Sequence, residues 1–243
     1  MIKKYNHFLN EGLLDKLKGP TKEEVLQHYF IEKDEDNLLL SAIKFSSVEY
    51  IIKAIKMGAD DYDALRMIIF DYEDVKLLEK FLDVYDINKV DYYDIIRLFE
   101  KNPNIEYKQI MINKITNINI FKDLIIYCAV NNLVRTFEMI LYKHISGLNY
   151  DEVLVKACES GSNKIINLLL TSSNVDIHYN NDEALLNAVL EARTSTIKLL
   201  LEYGADIYAR NGEILNQVRK YKLSGFATDM INAIKEKDYL NKL

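Results

Sequence analysis

Few side chains in this sequence have the type and spacing to do chemistry. Four histidines, His7, His28, His144 and His178, fall without the spacing of metal ligands. No His-Glu-x-x-His pair, glycine-rich phosphate loop or nucleophile elbow is present. Cys128 and Cys158 invite a redox role, but no neighbour in sequence would lower a thiol pKa. Both sit at small-residue positions where helices would touch, and there a cysteine behaves as a small hydrophobe. The acids number 37, so accidental carboxylate pairs are expected in a helical chain of this composition. The sequence therefore predicts no catalytic residue, no metal and no cofactor. An enzyme with a site assembled across distant segments is the alternative left open.

One constellation does recur. Asp61-Tyr62-Asp63, Asp91-Tyr92-Tyr93-Asp94, Lys122-Asp123, Tyr150-Asp151-Glu152, Asn181-Asp182-Glu183 and Asn211-Gly212-Glu213 each precede an apolar helical pattern. Asp and Asn cap helix N-termini, and acids there suit the helix dipole, so capping alone is one reading. The other adds a partner surface, because tyrosine is enriched among interface hot spots. It makes Asp61, Tyr62, Asp63, Asp91, Tyr92, Tyr93, Tyr150, Asp151, Tyr179 and Asp182 candidate partner contacts. Their acidity favours a basic protein partner.

The elements that must position these residues follow from spacing. From Leu39 the apolar or small residues are Leu39, Ala42, Ile43 and Ser46, then Ile51, Ala54 and Ile55, closing on Gly58-Ala59-Asp60. The same offsets return at Leu185, Ala188, Val189 and Ala192, then Ile197, Leu200 and Leu201, closing on Gly204-Ala205-Asp206. Offsets of i, i+3, i+4 and i+7 mark one helix face, so each unit predicts two helices folded back on each other. Further sets start at Leu65, Ile95, Ile125, Leu154 and Leu215, a period of about 30 residues. The second is the loosest, with Lys80 where an apolar residue belongs beside Phe81. In the last, Arg219 and Lys222 take core positions, as a terminal cap requires. The expected fold is all-α, a helical repeat solenoid of about seven units behind a helical N-terminal segment.

This pattern resembles the ankyrin repeat. Ala157-Cys158, Gly161 and Leu168-Leu169-Leu170 carry the likeness, as do Ala188-Val189, Leu199-Leu200-Leu201 and Gly204-Ala205-Asp206. The family's Thr-Pro-Leu-His opening is missing, and Glu183-Ala184-Leu185-Leu186 stands in its place. The resemblance implies an ankyrin-like repeat domain over residues 37–236 that binds a protein through its turn tips and the adjoining concave face.

Bulk properties exclude several classes. With 49% apolar residues in 243 the chain can bury a core. A net charge of −6 and a pI near 5.4, without a Lys/Arg stripe, argue against nucleic-acid binding. No apolar run approaches the ~18 residues of a membrane span. Asn6, His7, Asn10 and Glu11 interrupt any signal-peptide core. Two cysteines suit a reducing compartment.

The first residues belong to no repeat. Tyr5, Phe8, Leu9, Asn10, Glu11 and Gly12 resemble the capsid-targeting leader of internal head proteins in T-even-like bacteriophages. That resemblance implies a cleavable leader over 1–11, cut between Glu11 and Gly12. It also implies a place inside the virion and then in the host cytoplasm, where the protein would inhibit a host defence protein. The competing reading is an amphipathic helix with Phe8, Leu9, Leu13, Leu14 and Leu17 as its apolar face, capping the stack. Residues 12–36 are then an N-terminal helical segment, and 237–243 a C-terminal tail. Thr21 with Glu24 predicts a capping box opening a helix through Val25, Leu26 and Tyr29. An unpackaged cytoplasmic adaptor of viral or bacterial origin is the alternative function.

Overall fold

Fourteen α-helices and no strand make up the described residues of the computed structural model, which are 20–143 and 145–220. The leader over 1–11, its cut between Glu11 and Gly12, the segment's start at 12–19 and the tail 237–243 lie outside them. The chain falls into two compact units that meet in sequence at Thr116 and Asn117.

The first unit opens with α1 (Lys22–Ile31), whose start follows from the predicted capping box. Thr21 Oγ1 accepts the Glu24 N–H at 3.3 Å, and Glu24 Oε2 accepts the Thr21 N–H at 2.7 Å. Those bonds hold the Glu24 carboxyl below its ordinary value. Val25, Leu26 and Tyr29 form the buried face. Three helical pairs follow: α2 (Glu35–Lys44) with α3 (Val48–Met57), α4 (Asp61–Arg66) with α5 (Val75–Val84), and α6 (Tyr92–Lys101) with α7 (Ile105–Lys114). Helix α1 packs on α2 and α3, α3 on α5, and α5 on α7.

The second unit holds α8 (Ile118–Val130) with α9 (Val134–Tyr142), α10 (Tyr150–Ser160) with α11 (Asn163–Ser172), and α12 (Tyr179–Leu190) with α13 (Thr194–Glu202). Helix α14 (Glu213–Lys220) is the last described. First helices α8, α10, α12 and α14 stack in succession, and so do second helices α9, α11 and α13. The result is a two-layered array within this unit. Its core is one column of apolar pairs: Leu124 and Ile125, Val153 and Leu154, then Ala184 and Leu185, all buried. Cys128 and Cys158 are buried thiols inside the same seam.

Two expectations shift. The small residue at i+7 does not belong to a buried helix face. Ser46, Asn132, Gly161 and Ala192 have φ of 53°, 55°, 80° and 52° and form the left-handed turn that ends each first helix. The following N–H closes a Schellman-type bond back into the helix, as from Ser47 to the Ala42 carbonyl at 2.8 Å and from Arg193 to Ala188 at 2.8 Å. Small or Gly/Asn residues stand there because of backbone conformation, not packing.

The second pair is not loose either. Helix α4 runs on into a π-helical segment, Met67–Asp71, closed by the Tyr72 N–H on the Met67 carbonyl at 3.0 Å. The wider turn absorbs one extra residue, so every core position of α5 moves on by one. Leu78, Phe81 and Leu82 are buried, while Lys80 is exposed. Likewise α14 buries Ile214 and Val218, with Arg219 exposed; Lys222 lies outside the described residues.

Candidate functional site

Tips of the second unit are built from carboxylates that bind the backbone of the next tip. Asn149 caps α10, accepting the N–H of Asp151 at 3.2 Å and of Glu152 at 3.3 Å. Asp151 Oδ1 in turn accepts the Asp176 N–H at 2.7 Å, and Asp176 Oδ1 accepts that of His178 at 2.9 Å. One repeat later the device recurs. Asp182 Oδ1 accepts the Asp206 N–H at 2.8 Å, and Asp206 Oδ1 accepts that of Tyr208 at 2.8 Å. Asp182 is 3% exposed, and His178 Nδ1 stands 3.1 Å from its other oxygen.

The segment that replaces the missing Thr-Pro-Leu-His opening is a left-handed turn. Asn180, Asn181 and Asp182 have φ of 48°, 62° and 60°, and the regular part of α12 starts after them. Arg210, Asn211 and Gly212 repeat the conformation with φ of 56°, 55° and 80°. Short polar side chains and glycine tolerate this region best, which explains most of the residue choice. Arg210 fastens the two turns together, donating from Nη2 to the Asn180 carbonyl at 2.6 Å and from Nε to Asn181 at 3.1 Å.

In the first unit the tips are also internally occupied. Asp60 caps α4 by accepting the Asp63 N–H at 2.9 Å. Asp61 accepts the phenol of Tyr85. Burial first, then this bond and the nearby Asp86 and Asp60, push the Tyr85 phenol well above its ordinary value. Asp63 pairs with Arg66 at 3.1 Å, and Asp91 caps α6 through the Tyr93 N–H at 2.8 Å.

The ten predicted contacts therefore separate by chemistry. Asp61, Asp63, Asp91, Asp151 and Asp182 each hold an intramolecular partner, and Asp182 is too buried to touch another protein. Among the tyrosines, Tyr93 is 69% exposed with its ring 5.0 Å from that of Tyr92. Tyr62, Tyr150 and Tyr179 are half-buried. Asn149 Nδ2 lies 3.5 Å from the Tyr179 hydroxyl. Tyr92 and Tyr150 are the first residues of their helices, each three before the first buried position, whereas Tyr62 is the second residue of α4.

Sequence reasoning passed over the neighbours of these residues. Asp123, Glu152 and Glu183 each immediately precede the buried pair of a first helix, and Glu213 precedes the buried Ile214 and half-buried Leu215. Since those helices stack in succession, the four acids occupy one column, one per repeat. Asp123, Glu152 and Glu213 are exposed, and among the described residues no cation pairs with any of the four. Glu183 accepts only the Asn180 amide, at 2.9 Å. The signal was present in the recurring segments, one step further along each helix.

No group of His, Cys, Asp and Glu able to hold a metal occurs among the described residues. Burial drives the Cys158 thiol strongly upward, which makes it a poor nucleophile. No described helix is long and apolar enough to cross a membrane. Compared with protein families, the chain matches the family model for ankyrin repeats, in three copies, over residues 117–211. That span coincides with the two-layered array. No curated protein matches the chain. Ankyrin repeats are protein–protein interaction modules, typically without catalysis.

Proposed function

We propose that the chain is a non-catalytic binding module that takes a basic protein partner along the acidic column of its second unit. The observation that carries this reading is the spacing of Asp123, Glu152, Glu183 and Glu213, one carboxylate per stacked helix and none ion-paired among the described residues. Each exposed charge contributes little alone, but a row of one sign steers association and selects the sign of the partner. Tyr62 and Tyr93 offer aromatic contact area on the tips of the first unit. The test is titration of a lysine octapeptide by calorimetry against the chain and against D123N/E152Q/E183Q/E213Q. The variant should bind at least about tenfold more weakly with a flatter salt dependence; equal affinity would end the proposal.

The leader residues Tyr5, Phe8, Leu9, Glu11 and Gly12 support a finer reading from sequence alone. In it the protein is packaged in a phage head, trimmed at Gly12 and delivered to the host cytoplasm to inhibit a defence protein. Mass spectrometry of purified virions decides the point. A mature N-terminus at Gly12 supports packaging, and absence from the particle leaves an unpackaged adaptor.

A further inference from the structure

A second feature of the same unit has a different chemistry. A cleft of about 570 Å³ opens where α9 and α11 end and α10 begins. Leu141 and Ile145 supply apolar wall, and the rings of Tyr142 and Tyr150 supply π surface. Thr171, Ser173 and Asn174 supply polar groups, and no charged side chain among the described residues lines the space.

Those polar groups present acceptors. The Thr171 hydroxyl donates to the Asn167 carbonyl at 2.7 Å and the Ser173 hydroxyl to Leu169 at 2.6 Å. Their protons are committed, and their lone pairs remain. Beside them, the carbonyls of Leu170, Thr171 and Ser172 accept no backbone hydrogen bond among the described residues. Two helix C-termini meet here, each carrying partial negative charge, and the N-terminus of α10 that borders the same space is capped by Asn149 and offset by Asp151 and Glu152 in its first turn. Lys143, next in sequence to Tyr142, has its ammonium 4.8 Å from the Phe121 ring centroid.

Acceptors, π faces and two helix C-termini suit a flat organic cation. A guanidinium has five donors in one plane and stacks on aromatic rings, whereas an ammonium is compact and strongly hydrated. We propose that this cleft receives an arginine side chain of the partner, as a specificity pocket beside the acidic column. Glu152 lies in the first turn of α10, the helix end that borders the cleft, on a different face from Tyr150. The inference rests on the basic-partner reading, and its test separates the two.

Arginine and lysine octapeptides carry the same charge, so the column attracts both. Titrated into the intact chain, the arginine peptide should bind about tenfold more tightly. Tyr142→Ala, at a residue 60% exposed and so without cost to folding, should erase that preference while leaving lysine-peptide affinity unchanged. Asn174→Lys, which sets an ammonium at the rim, should also erase the preference. Equal affinities for the two peptides, or a preference that survives both variants, overturns the pocket and leaves the column standing. Failure of the lysine peptide to bind at all overturns the column instead.

Discussion

The buried carboxylate of Asp182 accepts the backbone N–H of Asp206 at 2.8 Å, so the tip of one repeat is fixed by the side chain of the one before. Removing a buried, charge-assisted acceptor strands the N–H as well as losing the bond. Asp182→Ala is expected to cost about 2 kcal/mol in urea denaturation. Glu152→Gln, at an exposed column residue, should move the midpoint by less than ~0.5 kcal/mol.

Two turn residues should respond in opposite directions. Ala192 is exposed with φ of 52°, a conformation that penalises a Cβ. Ala192→Gly should therefore stabilise the chain by up to ~1 kcal/mol. Gly161 has φ of 80°, and an added Cβ would meet Arg193 Cδ at 3.0 Å. Gly161→Ala should destabilise by at least ~1 kcal/mol, seen as a lower thermal midpoint.

Alkaline pH should weaken the fold through its tyrosines. Tyr85 ionises in the folded chain only well above its ordinary value of 10.0, because of burial and the Asp61 bond. The unfolded chain loses that proton first. The stabilisation is therefore complete below about pH 10 and disappears as pH climbs through the higher folded value. Tyr50, Tyr107 and Tyr150 are shifted the same way, chiefly by burial. Tyr85→Phe should reduce, not abolish, the fall in denaturation midpoint between pH 9 and pH 11 (about one unit either side of the tyrosine reference value).

Thiol chemistry offers a simple check on the seam. Cys128 and Cys158 are buried, and burial holds the Cys158 thiol protonated. Ellman's reagent at neutral pH should leave Cys158 unmodified until denaturant is added. Rapid labelling of the native chain would contradict the packing.

The offsets at Leu39, Ile125, Leu154 and Leu185 made the paired helices legible, because burial of one face imposes a period that survives in a single sequence. The second pair was misread for a physical reason. A π turn at Met67–Asp71 inserts one residue, and one residue rotates a helix by about 100°, so Lys80 fell on an expected core position. The tips were legible only as composition. Asp announced the cap correctly at Asp91, whereas the caps of the next two first helices are Asn117 and Asn149, ahead of the Lys122-Asp123 and Tyr150-Asp151-Glu152 segments to which the composition pointed. Nothing in residue type told Asp182, buried and bonded, from Glu183 beside it, which faces outward from the same turn. That difference is made by three consecutive left-handed residues, and a periodicity argument carries no backbone dihedrals.

The bonds that join one repeat to the next span about one repeat length, from 24 residues between Asp182 and Asp206 to 36 between Tyr203 and Asn167. Arg210 reaches back 30 residues to Asn180 and 29 to Asn181. Every such tie lies between adjacent cassettes of about 30 residues, so duplicating or excising a whole cassette would preserve the wiring on either side. The array in the second unit can thus grow or shrink over generations by unequal recombination, with its reach along a partner changing in steps of one helix pair.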